Sequence, residues 1–129
     1  LDGVVSDLAT LGEIRRPLLT VQGTMDAAAQ FQHHGRAYRD LVVAAGRGDL
    51  HRLYEVQNGV HNEKQGQPPY NFGQFAFVLP TEHAAFDRLV RWVEEDQAPP
   101  LGQCIPRGGA IVDDPAAQGR PEHCASLLG

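Results

Sequence analysis

Two residues that can move a proton, Asp26 and His61, each follow a segment of strand length that ends near a glycine. Asp26 comes shortly after Gly23, and His61 comes shortly after Gly59. A histidine can take the proton of a serine hydroxyl, and it does so best when a carboxylate fixes its tautomer and stabilises the imidazolium that forms. The two residue types therefore predict activation of a hydroxyl nucleophile, provided that the fold brings them together.

The elements that must position this pair have the pattern of a strand, a helix and a second strand. The run at 17–23 is apolar and continuous rather than alternating, which predicts a central strand covered by helices on both faces. A second apolar-rich strand begins at Leu53. Between them, apolar residues at helical spacing predict a helix: Tyr38, Leu41, Val42 and Ala45. Because such crossovers are right-handed, parallel strands would present Asp26 and His61 at the same edge of one sheet.

This arrangement resembles the C-terminal half of an α/β-hydrolase, over roughly residues 13–96. In that family a Gly-x-x-Asp turn after the penultimate strand gives the acid, and a loop after the last strand gives the histidine. The matching residues here are Gly23 to Asp26 and Gly59 to His61. The family's nucleophile elbow, Gly-x-Ser-x-Gly, does not occur in this sequence. The two serines, Ser6 and Ser126, lack flanking glycines, so neither is expected to be the nucleophile.

The resemblance implies an α/β fold of parallel strands with flanking helices, and the C-terminal part of a serine hydrolase. Asp26 and His61 would be its catalytic acid and base. Its partner would be the N-terminal portion that carries the serine, and this chain alone would be inactive. The choice of a small or polymeric carboxylic ester as substrate rests on analogy with the family. No cofactor is implied.

Each residue also has an ordinary structural interpretation. A lone aspartate after a strand commonly forms an Asx turn or caps a helix, and a loop histidine can simply be held by backbone contacts. Glu63 lies near enough to compete with Asp26, but a solvated loop charge is the better interpretation. The alternative for the whole chain is a non-catalytic interaction or structural module on a hydrolase-like scaffold. Order and spacing together favour the catalytic pair.

The turn-rich segment 61–80 is interleaved with aromatic residues. These either pin the loop to the core or line a substrate pocket beside His61. Met25, Tyr70 and Phe72 are the candidate substrate contacts.

Further elements complete the predicted domain at 1–100. A helix is expected over 1–12, and another is expected to begin at Thr81 as its cap. The second helix would cover the sheet with one apolar stripe, with Trp92 at its margin: Phe86, Leu89, Val90 and Val93. Residues 101–129 are expected to form a surface extension with a short hairpin over 105–112.

Cys104 and Cys124 enclose a segment rich in Gly and Pro. A disulfide between them would tether this extension and would favour a secreted or periplasmic location, although two buried free thiols are the alternative. A length of 129 residues fits one domain, and the net charge of −5 gives no reason to expect nucleic acid or an anionic membrane as partner. No apolar segment is long enough to span a bilayer.

Metal sites are not expected. His33 and His34 are adjacent, so on a helix their side chains diverge. The sequence His61-Asn62-Glu63 imitates the His-x-Glu of zinc deaminases, but their Pro-Cys-x-x-Cys does not follow.

Overall fold

The computed structural model describes residues 11–64, 68–69, 73–114 and 124. The helix expected over 1–12 and the candidate contacts Tyr70 and Phe72 lie outside the described residues. In chain order the elements are β1 (Leu18–Gly23), a π-helical turn (Gln32–Arg36) continuing into α1 (Ala37–Ala44), a 3₁₀ turn (Gly48–Leu50), β2 (His51–Val56), α2 (Leu79–Glu95) and β3 (Gln103–Ile105).

The three strands form one parallel sheet in the order β1-β2-β3. Leu18 lies opposite His51 at one end of the first pair, and Gly23 lies opposite Val56 at the other. The carboxyl ends of β1 and β2 therefore meet at one edge of the sheet. Helices and a small parallel sheet confirm the α/β class.

The central strand is β2, so the prediction that the strand at 17–23 is central was wrong for the described sheet. Every residue of β2 is buried, whereas most of β1 is only half-buried. The sequence misleads here because β2 contains three buried polar residues, His51, Arg52 and Glu55. Their partners come from other elements, so the composition of β2 alone does not reveal its burial.

One face of β2 packs against the π-helical turn and α1. His51 Nε2 lies 2.9 Å from Thr20 Oγ1, and its ring meets the Tyr38 ring edge-on at 6.0 Å between centroids. Arg36 donates two hydrogen bonds to the Glu55 carboxylate, at 2.5 and 2.7 Å. These contacts pair the buried charge of Glu55, which would otherwise be costly to desolvate.

The opposite face of the sheet holds the apolar core and α2. A single buried cluster joins strands, helix and C-terminal segment: Tyr54, Val56, Val78, Ala85, Ile105 and Ile111. Arg52 lies over the Trp92 ring, 4.9 Å from its centroid, and its Nε donates to the Pro99 carbonyl. The sheet is thus covered on both faces, as parallel sheets require.

The apolar stripe predicted for α2 was only partly right, because Leu89 and Val90 are half-buried but the other two residues are exposed. Its buried residues are Thr81, Ala85 and Trp92, whereas Phe86 and Val93 are each 63% exposed. Thr81 and Ala85 are small and can lie close to the sheet, and Trp92 covers Arg52. Thr81 is also not the cap, because the helix begins at Leu79 with Pro80 in its first turn, where proline is well tolerated.

The C-terminal segment is joined to the sheet rather than lying on its surface as a hairpin. Residues 103–105 form β3, which pairs with β2, and Ile105 and Ile111 lie in the core. In place of the hairpin over 105–112, the Gln103 side chain bonds both the N–H and the carbonyl of Val112. The division of the chain at residue 100 remains a prediction.

The predicted disulfide is confirmed: Cys104 and Cys124 are bonded, with their Cα atoms 5.6 Å apart. Cys124 is buried, and its carbonyl accepts a hydrogen bond from Arg36. The bond is consistent with an oxidising, extracellular-type environment. Within the described ranges, no helix is both long and apolar enough to cross a bilayer.

Candidate active site

Two glycines bring the loops after β1 and β2 into contact. A Cβ atom on Gly23 would lie 2.2 Å from the carbonyl oxygen of Gly59, and one on Gly59 would lie 2.8 Å from the Cα of Gly23. No real side chain can approach a backbone that closely. Glycine is therefore required at both positions for the two loops to touch.

Backbone hydrogen bonds then fix the loops to each other. Thr24 N–H donates to the Val56 carbonyl at 3.0 Å, and Met25 N–H donates to the Gly59 carbonyl at 2.8 Å. The Thr24 hydroxyl accepts a hydrogen bond from Asn58 N–H at 2.9 Å. The sequence did not predict this role of Thr24. These bonds set the distance between the segments that carry Asp26 and His61.

The Asp26 carboxylate makes both of the contacts considered for it, the Asx-type turn and the contact with His61. Oδ1 accepts hydrogen bonds from the backbone N–H groups of Ala28 and Ala29, at 2.9 and 2.8 Å, which is the ordinary Asx-type turn. Oδ2 lies 3.0 Å from Nδ1 of His61. The structure therefore places Asp26 and His61 within hydrogen-bonding distance, although they are 35 residues apart in sequence.

The environment of Asp26 favours its ionised form. Burial of this side chain, which is 8% exposed, acts to raise its pKa, but the hydrogen bond with His61 and those from Ala29 and Ala28 outweigh it. The pKa of Asp26 is therefore lowered from its ordinary value. A carboxylate that stays ionised near neutral pH can accept a hydrogen bond from a ring N–H and stabilise a positive charge on that ring.

His61 presents a ring that is reachable from solvent, with its side chain 47% exposed. When the ring is neutral, donation from Nδ1 to the ionised Asp26 leaves Nε2 as the basic nitrogen. A histidine in this tautomer can act as a general base toward a hydroxyl group.

Glu63 is neither a competing partner for His61 nor a simple solvated charge. Its Oε1 accepts a hydrogen bond of 2.8 Å from the N–H of Leu79, the first residue of α2. The carboxylate therefore satisfies one of the unpaired donors at the helix start and sits at the positive end of the helix dipole. This contact ties the segment after His61 to α2.

A cleft of about 520 Å³ extends from Asp26 along β1 on the side of α1. Its walls include Thr20, Tyr38 and Leu41, together with both histidines of the adjacent pair His33 and His34. Met25, a predicted substrate contact, is 37% exposed in the turn before Asp26 and does not line this cleft. Nothing in the described part of the chain groups three or more His, Cys, Asp or Glu side chains in a way that could hold a metal ion.

No protein-family model, curated protein or solved structure matches this chain. The geometry of the Asp26–His61 pair and its setting in the sheet are therefore what indicates a function.

Proposed function

We propose that this chain is the C-terminal part of a serine hydrolase of the α/β-hydrolase type, with Asp26 as the acid and His61 as the base. One observation carries the proposal. Asp26 Oδ2 and His61 Nδ1 lie 3.0 Å apart, in loops that follow the carboxyl ends of two adjacent parallel strands. Ligands and catalytic groups of open α/β sheets gather at that end of the strands.

The two serines of the sequence, Ser6 and Ser126, lie outside the described residues. In the proposal the nucleophilic serine belongs to a further portion of the hydrolase. His61 Nε2 accepts the hydroxyl proton as the serine oxygen attacks the ester carbonyl, and Asp26 stabilises the resulting imidazolium. The imidazolium then returns the proton to the departing alkoxide, which leaves as an alcohol.

The acyl-serine that remains is hydrolysed in a second half-reaction. His61 takes a proton from water, the hydroxide adds to the acyl carbonyl, and the serine leaves with the proton that His61 gives back. A carboxylic acid is released and the free serine is restored. An ester substrate is chosen by analogy with the family, and secretion or export to the periplasm is proposed because the disulfide suits an oxidising compartment.

The proposal is tested with the full natural gene product that contains this chain, assayed on p-nitrophenyl esters. We expect Asp26→Asn to lower kcat by about 10⁴-fold, because the amide favours the wrong tautomer of His61. His61→Ala should lower it further, by about 10⁶-fold, because no base remains. The matched control is His83→Ala, which removes an exposed histidine on α2.

Two results would contradict the assignment. Hydrolysis that is unchanged in both Asp26→Asn and His61→Ala would exclude this pair from catalysis and favour the non-catalytic module. Equal loss in His83→Ala would show that the assay reports folding rather than chemistry. This chain by itself should give no turnover that depends on Asp26 or His61.

A further inference from the structure

The outer edge of β1 carries backbone groups that no described strand pairs. Thr24 N–H points toward β2, where it bonds the Val56 carbonyl, and successive residues of a strand point their N–H and C=O groups to alternate edges. The backbone groups of Leu19 and Val21 therefore point away from β2. Among the described residues, nothing hydrogen-bonds to them. A row of such groups is a template for pairing with another strand.

One exposed apolar side chain of α1, Leu41, borders this edge. Leu41 is 45% exposed and lines the cleft together with Thr20 and Val21 of β1. The cleft is thus a partly apolar groove that follows the open edge of the sheet.

The layer of α2 is similarly uncovered. This helix packs against β1, and Arg88 reaches the Ile111 carbonyl, on the side of the helix that faces the C-terminal segment. By helical periodicity, Phe86 and Val93 lie on the other side of α2, turned away from that segment. Each is 63% exposed. In the part of the chain that the structure describes, the sheet and both helix layers therefore have exposed apolar or unpaired hydrogen-bonding groups around β1.

We propose that the outer edge of β1 accepts a strand from a further α/β portion of the protein, whose helices cover Leu41 on one face and Phe86 and Val93 on the other. An open strand edge between two exposed apolar layers is complementary to another strand with helices on both faces. Parallel sheets are built from such units. That this portion carries the serine rests on the proposed function. The location of the docking edge does not.

A second copy of the chain fits this surface less well. Twofold pairing through β1 would place α2 beside its own copy, and α2 carries four acidic residues against two arginines. Two such helices repel each other. A parallel strand added beside β1 would instead end next to Asp26, where a serine after that strand could reach His61.

Hydrogen exchange of the backbone amides tests the docking edge. The peptide Leu18–Gly23 is compared in this chain of 129 residues and in the full natural gene product. We expect exchange to be slower by ~10-fold or more in the gene product, because unpaired amides gain partners. The peptide His51–Val56 serves as the internal reference, because it pairs with β1 along its whole length and with β3 over Tyr54 to Val56 in the chain itself.

Exposed positions provide variants whose new charge stays in contact with solvent in this chain. In the gene product, Leu41→Glu and Phe86→Glu should restore fast exchange of the β1 peptide, because they place a charge in the covered layers. Leu101→Glu is the matched control, since Leu101 is 68% exposed and lies just before β3, at the opposite edge of the sheet.

Equal exchange of the β1 peptide in the two proteins would overturn the proposal, as would a gene product that begins at Leu1 and has no strand to add. Protection of β1 in this chain alone that disappears on dilution would overturn it in favour of a second copy. His61→Ala separates this inference from the proposed function. A protected β1 with hydrolysis unaffected by His61→Ala rejects only the catalytic role, and an unprotected β1 with hydrolysis abolished rejects only the docking edge.

Discussion

Asp26 shows how one side chain can make two contacts that the sequence offered as alternatives. Its Oδ1 closes the turn through Ala28 and Ala29, and its Oδ2 faces His61. The sequence predicted both contacts as alternatives, because each follows from a short motif. It did not predict the contact of Glu63 with Leu79, since the start of α2 was placed at Thr81. Placing the helix cap three residues too late, at Thr81 instead of Val78, was enough to leave that carboxylate without a role.

Glu63 gives a prediction at the residue scale. Glu63→Ala should lower the free energy of unfolding by about 1 kcal/mol, because the N–H of Leu79 loses its acceptor at the helix start. Glu63→Gln should cost less, since an oxygen acceptor remains. Urea denaturation measures both, and Glu94→Ala, at an exposed position on α2, is the control. Equal stability of Glu63→Ala and the wild type would show that water replaces the carboxylate without cost.

His51 gives a prediction about pH. Burial, followed by the positive charges of Arg39 and Arg52, lowers the pKa of His51 below its ordinary value of 6.5. Below about pH 6.5 the unfolded chain therefore binds more protons than the folded one at this site. Its contribution to stability is complete above that pH and decreases as the pH falls toward the lowered pKa.

The measurement is chemical denaturation from pH 8 to pH 5. The wild type should lose more stability over this range than His51→Gln, in which the titrating group is absent. His83→Gln, at an exposed histidine, should behave like the wild type. A wild type and a His51→Gln variant with parallel pH profiles would contradict the prediction.

At the scale of elements, the strand-helix-strand unit was predictable because its rules are local. Strand patterns, turn glycines and a helix between them, with the handedness of the crossover, indicated where Asp26 and His61 would meet. The orientation of α2 was not predictable in the same way. Its sequence offers an apolar stripe at Phe86 and Val93, but the buried side uses the small residues Thr81 and Ala85. Which side is buried depends on how closely the helix approaches the sheet, and this is a property of the packed fold.

The contact between Gly23 and Gly59 supports a prediction for the loops. Gly59→Ala should cost ~2 kcal/mol or more, because its Cβ would overlap both the Gly23 backbone and the Val78 side chain. Under the proposed function it should also reduce ester hydrolysis by the gene product, since the Asp26 and His61 loops would move apart. Thermal unfolding and ester hydrolysis measure the two effects.

Gly48→Ala is the matched control for the loop prediction. The nearest atom that its Cβ would meet outside neighbouring residues is the side-chain Cγ2 of Val43, at 3.2 Å, which can shift. A Gly59→Ala variant as stable and active as Gly48→Ala would show that the loops do not need their close contact.

At the scale of the whole molecule, the sequence did not reveal the pairing of strands that lie far apart in the chain. Gly108 and Gly109 suggested a local hairpin, but residues 103–105 pair with β2, some 50 residues earlier in the chain. Two side chains of β2 hold the segment before β3 in place. Arg52 donates a hydrogen bond to the Pro99 carbonyl, and the Tyr54 hydroxyl donates one to the Pro100 carbonyl. The disulfide was predicted from two cysteines that enclose a segment rich in Gly and Pro, with free thiols as the alternative. Its effect on the sheet was not, because it depends on the location of β3.

The disulfide gives a prediction for the molecule as a whole. Reduction, or the double change Cys104→Ala and Cys124→Ala, should lower the free energy of unfolding by about 3 kcal/mol, as expected for a closed loop of this length. Denaturant unfolding with and without dithiothreitol measures the effect. The double variant is its own control, because the reductant should not change its stability further. A reduced wild type as stable as the oxidised protein would show that residue 124 is held by its other contacts, such as that with Arg36.

Because the two carboxylate oxygens of Asp26 make different contacts, substitutions at this position would affect the turn and the contact with His61 in different ways. Alanine at this position would remove the turn together with the acid, so any loss of turnover would be confounded with a loosened loop. Asparagine can keep an acceptor oxygen toward Ala28 and Ala29 while offering His61 an amide instead of a carboxylate. A glutamate, longer by one methylene, would displace both oxygens at once. The stability of the turn and the contact with His61 therefore depend on the same side chain. Asparagine is the replacement best suited to separate the two.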